Sequence, residues 1–242
     1  MAEGFNGASR TVRHLLCAGN LGNLGMEKVV IGKATLYLGD CMEGMKEMPD
    51  KAFDLAIVDP PYGINKDGQR SCECKNPKHN RKEHKKKNWD DKIPDKSYFD
   101  ELFRVSKNQI IWGANYFTAF LPGSMGWIFW DKGQDLNQSD GELAFSSFDR
   151  ALRRKVINRV ELLKEGTIHP TQKPIRLYKW LLFGYTQHAS NTILDTHMGS
   201  GSSVIACLDR GHAVTAYEID PEYFEAACLR IEQSQRQLQL AL

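Results

Sequence analysis

Apolar positions along the chain fall into short runs, and the spacing within them separates two kinds of element. Positions 29–31 and 34–38 flank a Gly32-Lys33 turn, the pattern of a hairpin that ends at Gly39-Asp40. Positions 53–58, 109–112, 126–130, 192–194 and 213–217 are nearly unbroken apolar stretches, as buried strands require. Between them, apolar residues recur at helical spacing. A short helix over 41–48 is stopped by Pro49, and another, running to about Val105, opens on Ser97-Tyr98-Phe99-Asp100 as a capping box. A short helix is expected over 115–121. A longer one starts with Pro174 in its first turn and carries Leu177, Trp180, Leu181 and Tyr185 on one face. A further helix is expected over 202–208. Strands alternating with helices predict an α/β fold with a mostly parallel sheet and an antiparallel edge.

Two stretches lack this patterning. Residues 1–27 are rich in Gly, Asn and Ala without a sustained period and are expected to form a poorly ordered tail. Residues 66–96 hold few apolar side chains and read as an excursion from a single domain spanning 28–242.

The chemistry concentrates where strands end. Asp59-Pro60-Pro61-Tyr62 follows the run 53–58, and neither proline can donate to a sheet ladder. The strand must stop there, leaving Asp59 and Tyr62 in a stiff loop at its carboxyl end, where ligands bind in open α/β sheets. A carboxylate, backbone carbonyls and a flat ring suit a planar molecule carrying an –NH2 group. Read more plainly, the stretch is a tight turn after a buried strand.

A second pole begins with Asp195-Thr196-His197-Met198-Gly199-Ser200-Gly201-Ser202 after the strand at 192–194. Glycines here let the backbone approach a ligand at a helix N-terminus, and Glu218, ending the next strand, is placed to accept from ribose hydroxyls. The spacing is not Gly-x-Gly-x-x-Gly, which counts against a dinucleotide. The plain alternative is a crossover whose glycines only permit close packing.

Asp59-Pro60-Pro61-Tyr62 resembles the catalytic motif of the DNA methyltransferases that modify exocyclic amino groups, adenine N6 or cytosine N4. The resemblance implies a Rossmann-like, doubly wound methyltransferase sheet and S-adenosylmethionine as cofactor. It implies that the Asp59 carboxylate and the Pro60 carbonyl bind the amine N–H groups while Tyr62 stacks on a base turned out of the duplex. The glycine loop resembles the family's cofactor loop through Asp195, Gly199, Ser200, Gly201 and Ser202, with Glu218 and Ile219 beside the ribose. Thr196-His197 stand where the family usually has Pro-Phe. His169-Pro170-Thr171-Gln172-Lys173-Pro174 resembles the segment lining the cofactor's methionine end, with His169, Thr171 and Lys173 as contacts. Asp40 and Cys41 match the adenine contact, and Asp59 also borders the cofactor. The Asp59 motif comes before the cofactor loop, the permuted order of the beta group. Asp59, rather than Ser, favours adenine N6, with cytosine N4 or an inactive DNA-binding relative as alternatives.

Composition adds bounds. The 242 residues, 41% hydrophobic, suit one sizeable domain, and a net charge of +2 identifies no partner. No apolar run reaches membrane-spanning length and no secretory pattern opens the chain. The six cysteines are placed as reduced thiols would be, so a cytoplasmic protein without a membrane partner is expected. No Pro-Cys dipeptide occurs, which removes cytosine-C5 methylation, and the His-x-Glu of zinc deaminases is absent too. Methylation of RNA or of a protein glutamine uses a related Asn-Pro-Pro-Tyr motif, and the Asp59 form and permuted order argue against it.

Within the excursion, Lys75, Lys78, Arg81, Lys82, Lys85, Lys86 and Lys87 face a single acid, Glu83. They are expected to contact phosphates of double-stranded DNA, against the alternative of a solvated loop. Arg150, Arg153 and Arg154 open a second basic run, within the candidate target-recognition segment 135–168. A basic amphipathic surface helix is the competing reading. Cys72-x-Cys74 with His79 and His84 lacks the two-residue gap of a zinc pair, so no metal is expected. A homodimer remains open.

Overall fold

The structure, a computed structural model, describes residues 25–68, 83–133, 139–158, 162 and 165–240. Its strands are β1 (Glu27–Ile31), β2 (Ala34–Leu38), β3 (Phe53–Val58), β4 (Ser106–Trp112), β5 (Ile128–Asp131), β6 (Gly141–Ser146), β7 (Arg153–Val156), β8 (Thr192–Asp195) and β9 (Ala213–Glu218). The helices are α1 (Cys41–Glu47), α2 (Lys96–Val105), α3 (Ile175–Tyr185), α4 (Ser202–Asp209) and α5 (Pro221–Leu240). One sheet runs in the order β1-β2-β9-β8-β3-β4-β6-β5-β7.

The centre, from β2 through β9, β8 and β3 to β4, is parallel throughout. Parallel strands are covered on both faces, and β3 displays this residue by residue. Leu55 and Ile57 point into a core with Leu177 and Leu181 of α3, Val204 of α4 and Ile231 of α5. Ala56 and Val58 point the other way, into a core with Met45 of α1 and Phe99 and Leu102 of α2. Full burial of a side chain of this kind stabilises by roughly 1.5–3 kcal/mol, so the two cores together fix the sheet.

Antiparallel pairing occurs at the β1 edge, as expected, and again where β6 inserts between β4 and β5. The sequence pattern does not mark β6. The basic run, for which an amphipathic surface helix is the competing reading, holds a strand: Arg153–Val156 extends the sheet parallel to β5. Its Leu152 and Val156 side chains are exposed, so the apolar residues do not gather on one helical face.

Element ends shift slightly. Asp95, not Ser97, occupies the N-cap of α2, placing Ser97 in the first turn, and no side-chain cap bond forms. Pro174 caps α3 from outside the helix. The expected helix at 115–121 shrinks to a 3-10 turn, Ala114–Tyr116, since the chain enters through left-handed Gly113 and must bury Phe117 at once. A side chain at 113 would collide with the Tyr62 ring, the ideal Cβ falling 2.1 Å from a ring carbon. The expected strand at 126–130 begins only at Ile128.

Candidate active site

The pairing of β3 with β8 sets the geometry. Ala56 lies opposite Leu194, so the strand leading to Asp59 and the strand ending at Asp195 are direct neighbours. Next along, Asp195 pairs with Ala216 on β9, whose end carries Glu218. Two poles separated by more than a hundred positions in the chain thus open at one end of the sheet.

At the first pole, both oxygens of the half-buried Asp59 carboxylate are engaged. Oδ1 accepts from the Tyr62 hydroxyl at 2.5 Å and Oδ2 from Lys173 Nζ at 2.5 Å. The Lys173 ammonium, 2% exposed, also lies 3.1 Å from Glu142 Oε2, and Glu142 Oε1 lies 2.9 Å from Lys132. Burial raises the Asp59 carboxyl above its ordinary range, with the Lys173 charge opposing the rise. Burial works the same way on Glu142, but Lys173 and Lys132 together hold it at about 2. Burial also works against the Lys173 charge, yet Asp59 and Glu142 keep it firmly protonated.

The Tyr62 ring stacks on Tyr116, centroids 5.3 Å apart and planes 18° from parallel. Asp90, buried, holds the turn after it, since Oδ1 accepts from the Tyr62 and Gly63 amides and Oδ2 from that of Lys66.

At the second pole, Gly199 and Gly201 both have positive φ, and a Cβ at Gly201 would sit 2.9 Å from Ile231 of α5. Glu218 Oε2 accepts from the Gly199 amide and Oε1 from that of Asp220, each at 2.9 Å. Burial pushes the Glu218 carboxyl up to about 7. Asp195 is turned inward, accepting from the Ser203 hydroxyl and the His197 amide, and burial raises it to about 7 as well. The Ser200 and Ser202 hydroxyls meet each other, and Arg230 of α5 donates to Ser202 Oγ and the Ser200 carbonyl. This loop therefore offers backbone rather than hydroxyl groups. Gly39 N–H donates to the Glu218 carbonyl, which brings Asp40 and Cys41 alongside; Asp40 caps α1 and Cys41 is buried. Ile219 is exposed.

The stretch 169–173 touches both poles. The His169 ring packs beside Gly199, Thr171 Oγ1 lies 3.2 Å from His169 Nδ1, and Lys173 reaches Asp59. Burial lowers His169 to about 3, so the ring is neutral. Lys173, expected at the cofactor, has its ammonium on the carboxylate of Asp59, which is itself expected to border the cofactor. The burial of the whole 172–174 stretch draws it inward.

The basic residues divide. Lys75, Lys78, Arg81 and Lys82, with Cys72, Cys74 and His79, lie outside the described residues. Lys85 and Lys86 are exposed. Lys87, expected on phosphate, is instead bound to Asp220 and Glu222 at 2.7 Å and covers the Tyr223 ring. Opposite charge at the start of α5 outcompetes solvent for it. Beside it, Trp89 stacks on His169. Arg150 donates to the Gly184 carbonyl and packs over Tyr185, and Arg154 pairs with Asp131; Arg153 is exposed. No group of three or more metal-ligating side chains occurs among the described residues. No helix among them is long and apolar enough to cross a membrane. Sequence reasoning does not reach Glu142, Asp90 and Trp89. The one local hint is an acid set directly before the Leu143-Ala144-Phe145 run.

Fold and strand-end chemistry together define a Rossmann-like methyltransferase sheet. A family model described as DNA methylase matches residues 109–228, just under half of the chain, and the fold fits that N6-adenine/N4-cytosine DNA methyltransferase family. A curated relative, the putative methylase YubD of Escherichia coli (strain K12), is 34% identical over 71 residues, 29% of this chain. That match spans 31% of the relative's length. Among solved structures, the M1.HpyAVI–SAM complex shares the fold at a TM-score of 0.55 and 18% identity, over 81% of this chain and 99% of that one. The PvuII DNA methyltransferase (cytosine-N4-specific) aligns at 0.54 and 13% identity, over 84% and 90%. TTHA0409, a putative DNA modification methylase from Thermus thermophilus complexed with S-adenosyl-L-methionine, aligns at 0.51 and 14%, over 82% and 93%.

Proposed function

We propose that the protein methylates the N6 amino group of adenine in double-stranded DNA, using S-adenosylmethionine and a base turned out of the helix. The observation that carries this reading is the adjacency of the two strand ends, with Asp59 on one, the Gly199–Gly201 turn and Glu218 on the other, and residues 169–173 joining them.

The second pole fits the cofactor's chemistry. The glycines leave a bare backbone at the start of α4, and each Glu218 oxygen, already held by one amide, keeps a lone pair for a ribose hydroxyl. When bound, S-adenosylmethionine supplies a methyl group on a positively charged sulfur. Asp59 and the Pro60 carbonyl accept from the two N–H groups of the amine and draw its lone pair out of conjugation with the ring. Tyr62 offers its face to the base once Tyr116 yields the stack. As the nitrogen gains the methyl it gives up one proton, and the Asp59 carboxylate, its acidity already weakened by burial, is the acceptor in reach. Exposed Lys85 and Lys86 are placed to meet phosphates. A cytoplasmic location accords with this substrate.

The test is incubation with plasmid DNA and methyl-labelled cofactor, followed by mass spectrometry of the nucleosides. N6-methyldeoxyadenosine is expected. N4-methyldeoxycytidine would transfer the reading to the other base, and an unlabelled digest would refute it.

A further inference from the structure

Asp59 has two carboxylate oxygens and both are taken, one by a hydroxyl and one by an ammonium. Each oxygen keeps a further lone pair, but the ammonium on Oδ2 draws off the negative charge that an entering amine needs. The hydroxyl can rotate away at little cost, whereas a buried ammonium separated from its carboxylate needs another anion at once. The structure provides one. Glu142 Oε2 already lies 3.1 Å from Lys173 Nζ, so a movement of a few tenths of an ångström gives the charge-assisted distance of about 2.7–2.9 Å. Lys132 holds the other oxygen of the same carboxylate, which keeps Glu142 fixed on β6 as a receiving site rather than a wandering counterion.

We propose that Glu142 is a positioning residue that takes the Lys173 ammonium from Asp59 when the base amine arrives, freeing the carboxylate for the amine. This rests on the amine-methylating reading above. The arrangement is neutral before and after the exchange: Lys132 and Lys173 balance Glu142 and Asp59, and the incoming amine carries no charge. Tyr62 supports the move, its hydroxyl lying 3.1 Å from Lys173 Nζ as well as on Asp59. Asp195, Tyr98 and Tyr178, which also feel the Asp59 charge, make no hydrogen bond to Lys173 or Glu142.

Two variants separate this from a merely structural ion pair. In Glu142→Gln, Lys173 has no second anion and stays on Asp59, so kcat falls roughly tenfold or more while the Kd for DNA, set by phosphates, is unchanged. Loss of the Glu142 charge, which otherwise raises the Asp59 carboxyl, also moves the acid limb of the pH–rate profile to lower pH. The double variant Glu142→Gln/Lys173→Met removes the competing ammonium, so above about pH 8 it transfers methyl faster than Glu142→Gln alone. A structural role predicts the reverse, with the double variant slower. Urea midpoints on the wild type and both variants verify folding. A readout independent of turnover is the 15Nζ resonance of Lys173 with adenosine as probe. It moves on titration in the wild type and stays in place in Glu142→Gln. A static Lys173 signal, or a double variant no faster than Glu142→Gln, overturns the proposal even if the wild type methylates DNA. A moving signal in a protein that transfers no methyl would instead overturn the methylation reading and leave the exchange standing.

Discussion

Replacing Lys173 by Met keeps the shape of the side chain and removes the charge that two half-buried carboxylates share. The ammonium is 2% exposed and lies 2.5 Å from Asp59 and 3.1 Å from Glu142, whose side chains are 18% and 24% exposed, so water compensates only in part for its loss. Breaking a buried pair from one side costs about 3–5 kcal/mol. For a chain of this length that corresponds to a drop of roughly 6–20 °C in Tm. The pH dependence follows from the direction of the shifts. In the wild type, burial already raises the folded-state Asp59 carboxyl, while the two lysines depress Glu142 to about 2. Without Lys173 both rise. A carboxyl raised in the folded state costs stability above its folded pKa, about 1.4 kcal/mol per unit, and nothing below its unfolded pKa near 4. The deficit of the variant is therefore largest near pH 8 and shrinks as pH falls towards about 5. Urea unfolding at both pH values, without DNA or cofactor, measures it. A loss under about 1 kcal/mol at pH 8, or one that does not change with pH, would mean that Lys173 does not neutralise these carboxylates.

Asp59→Ala is expected to lower transfer at least about a hundredfold while cofactor affinity, measured by calorimetry, stays within a few-fold. Lys85→Ala and Lys86→Ala should each flatten the plot of log K for DNA against log salt by about 0.9, whereas Lys87→Ala, its ammonium being bound to Asp220 and Glu222, leaves the slope as it is. Glu218 is pushed up to about 7, and its ionised form is the better acceptor for ribose hydroxyls. Cofactor binding should thus weaken as pH falls from about 8 to 6, a trend that Glu218→Gln abolishes.

What the sequence makes legible follows from what is local. β3, β8 and β9 are apolar because both faces are covered, and each ends on the acid or turn that carries the chemistry, so strand and site are read together. β6 escapes such reading because Glu142 interrupts its apolar pattern, and that acid has a reason only once Lys173 and Lys132 are folded against it. β7 is hidden because Arg-Arg-Lys-Val becomes a strand through pairing with β5, a partner that no local period announces. Lys87 looks like one more member of a solvated basic set. Its acids lie 133 and 135 positions away, beyond the reach of pattern reading.

The stretch from His169 to Lys173 acts as a ruler. Its first side chain rests against the glycine turn and its last grips Asp59, so the gap between the two strand ends is measured out by five consecutive residues. Inserting or deleting one residue there would leave both strand ends intact and still put them out of step. Drift in length is therefore tolerable in the surrounding loops and intolerable in this one.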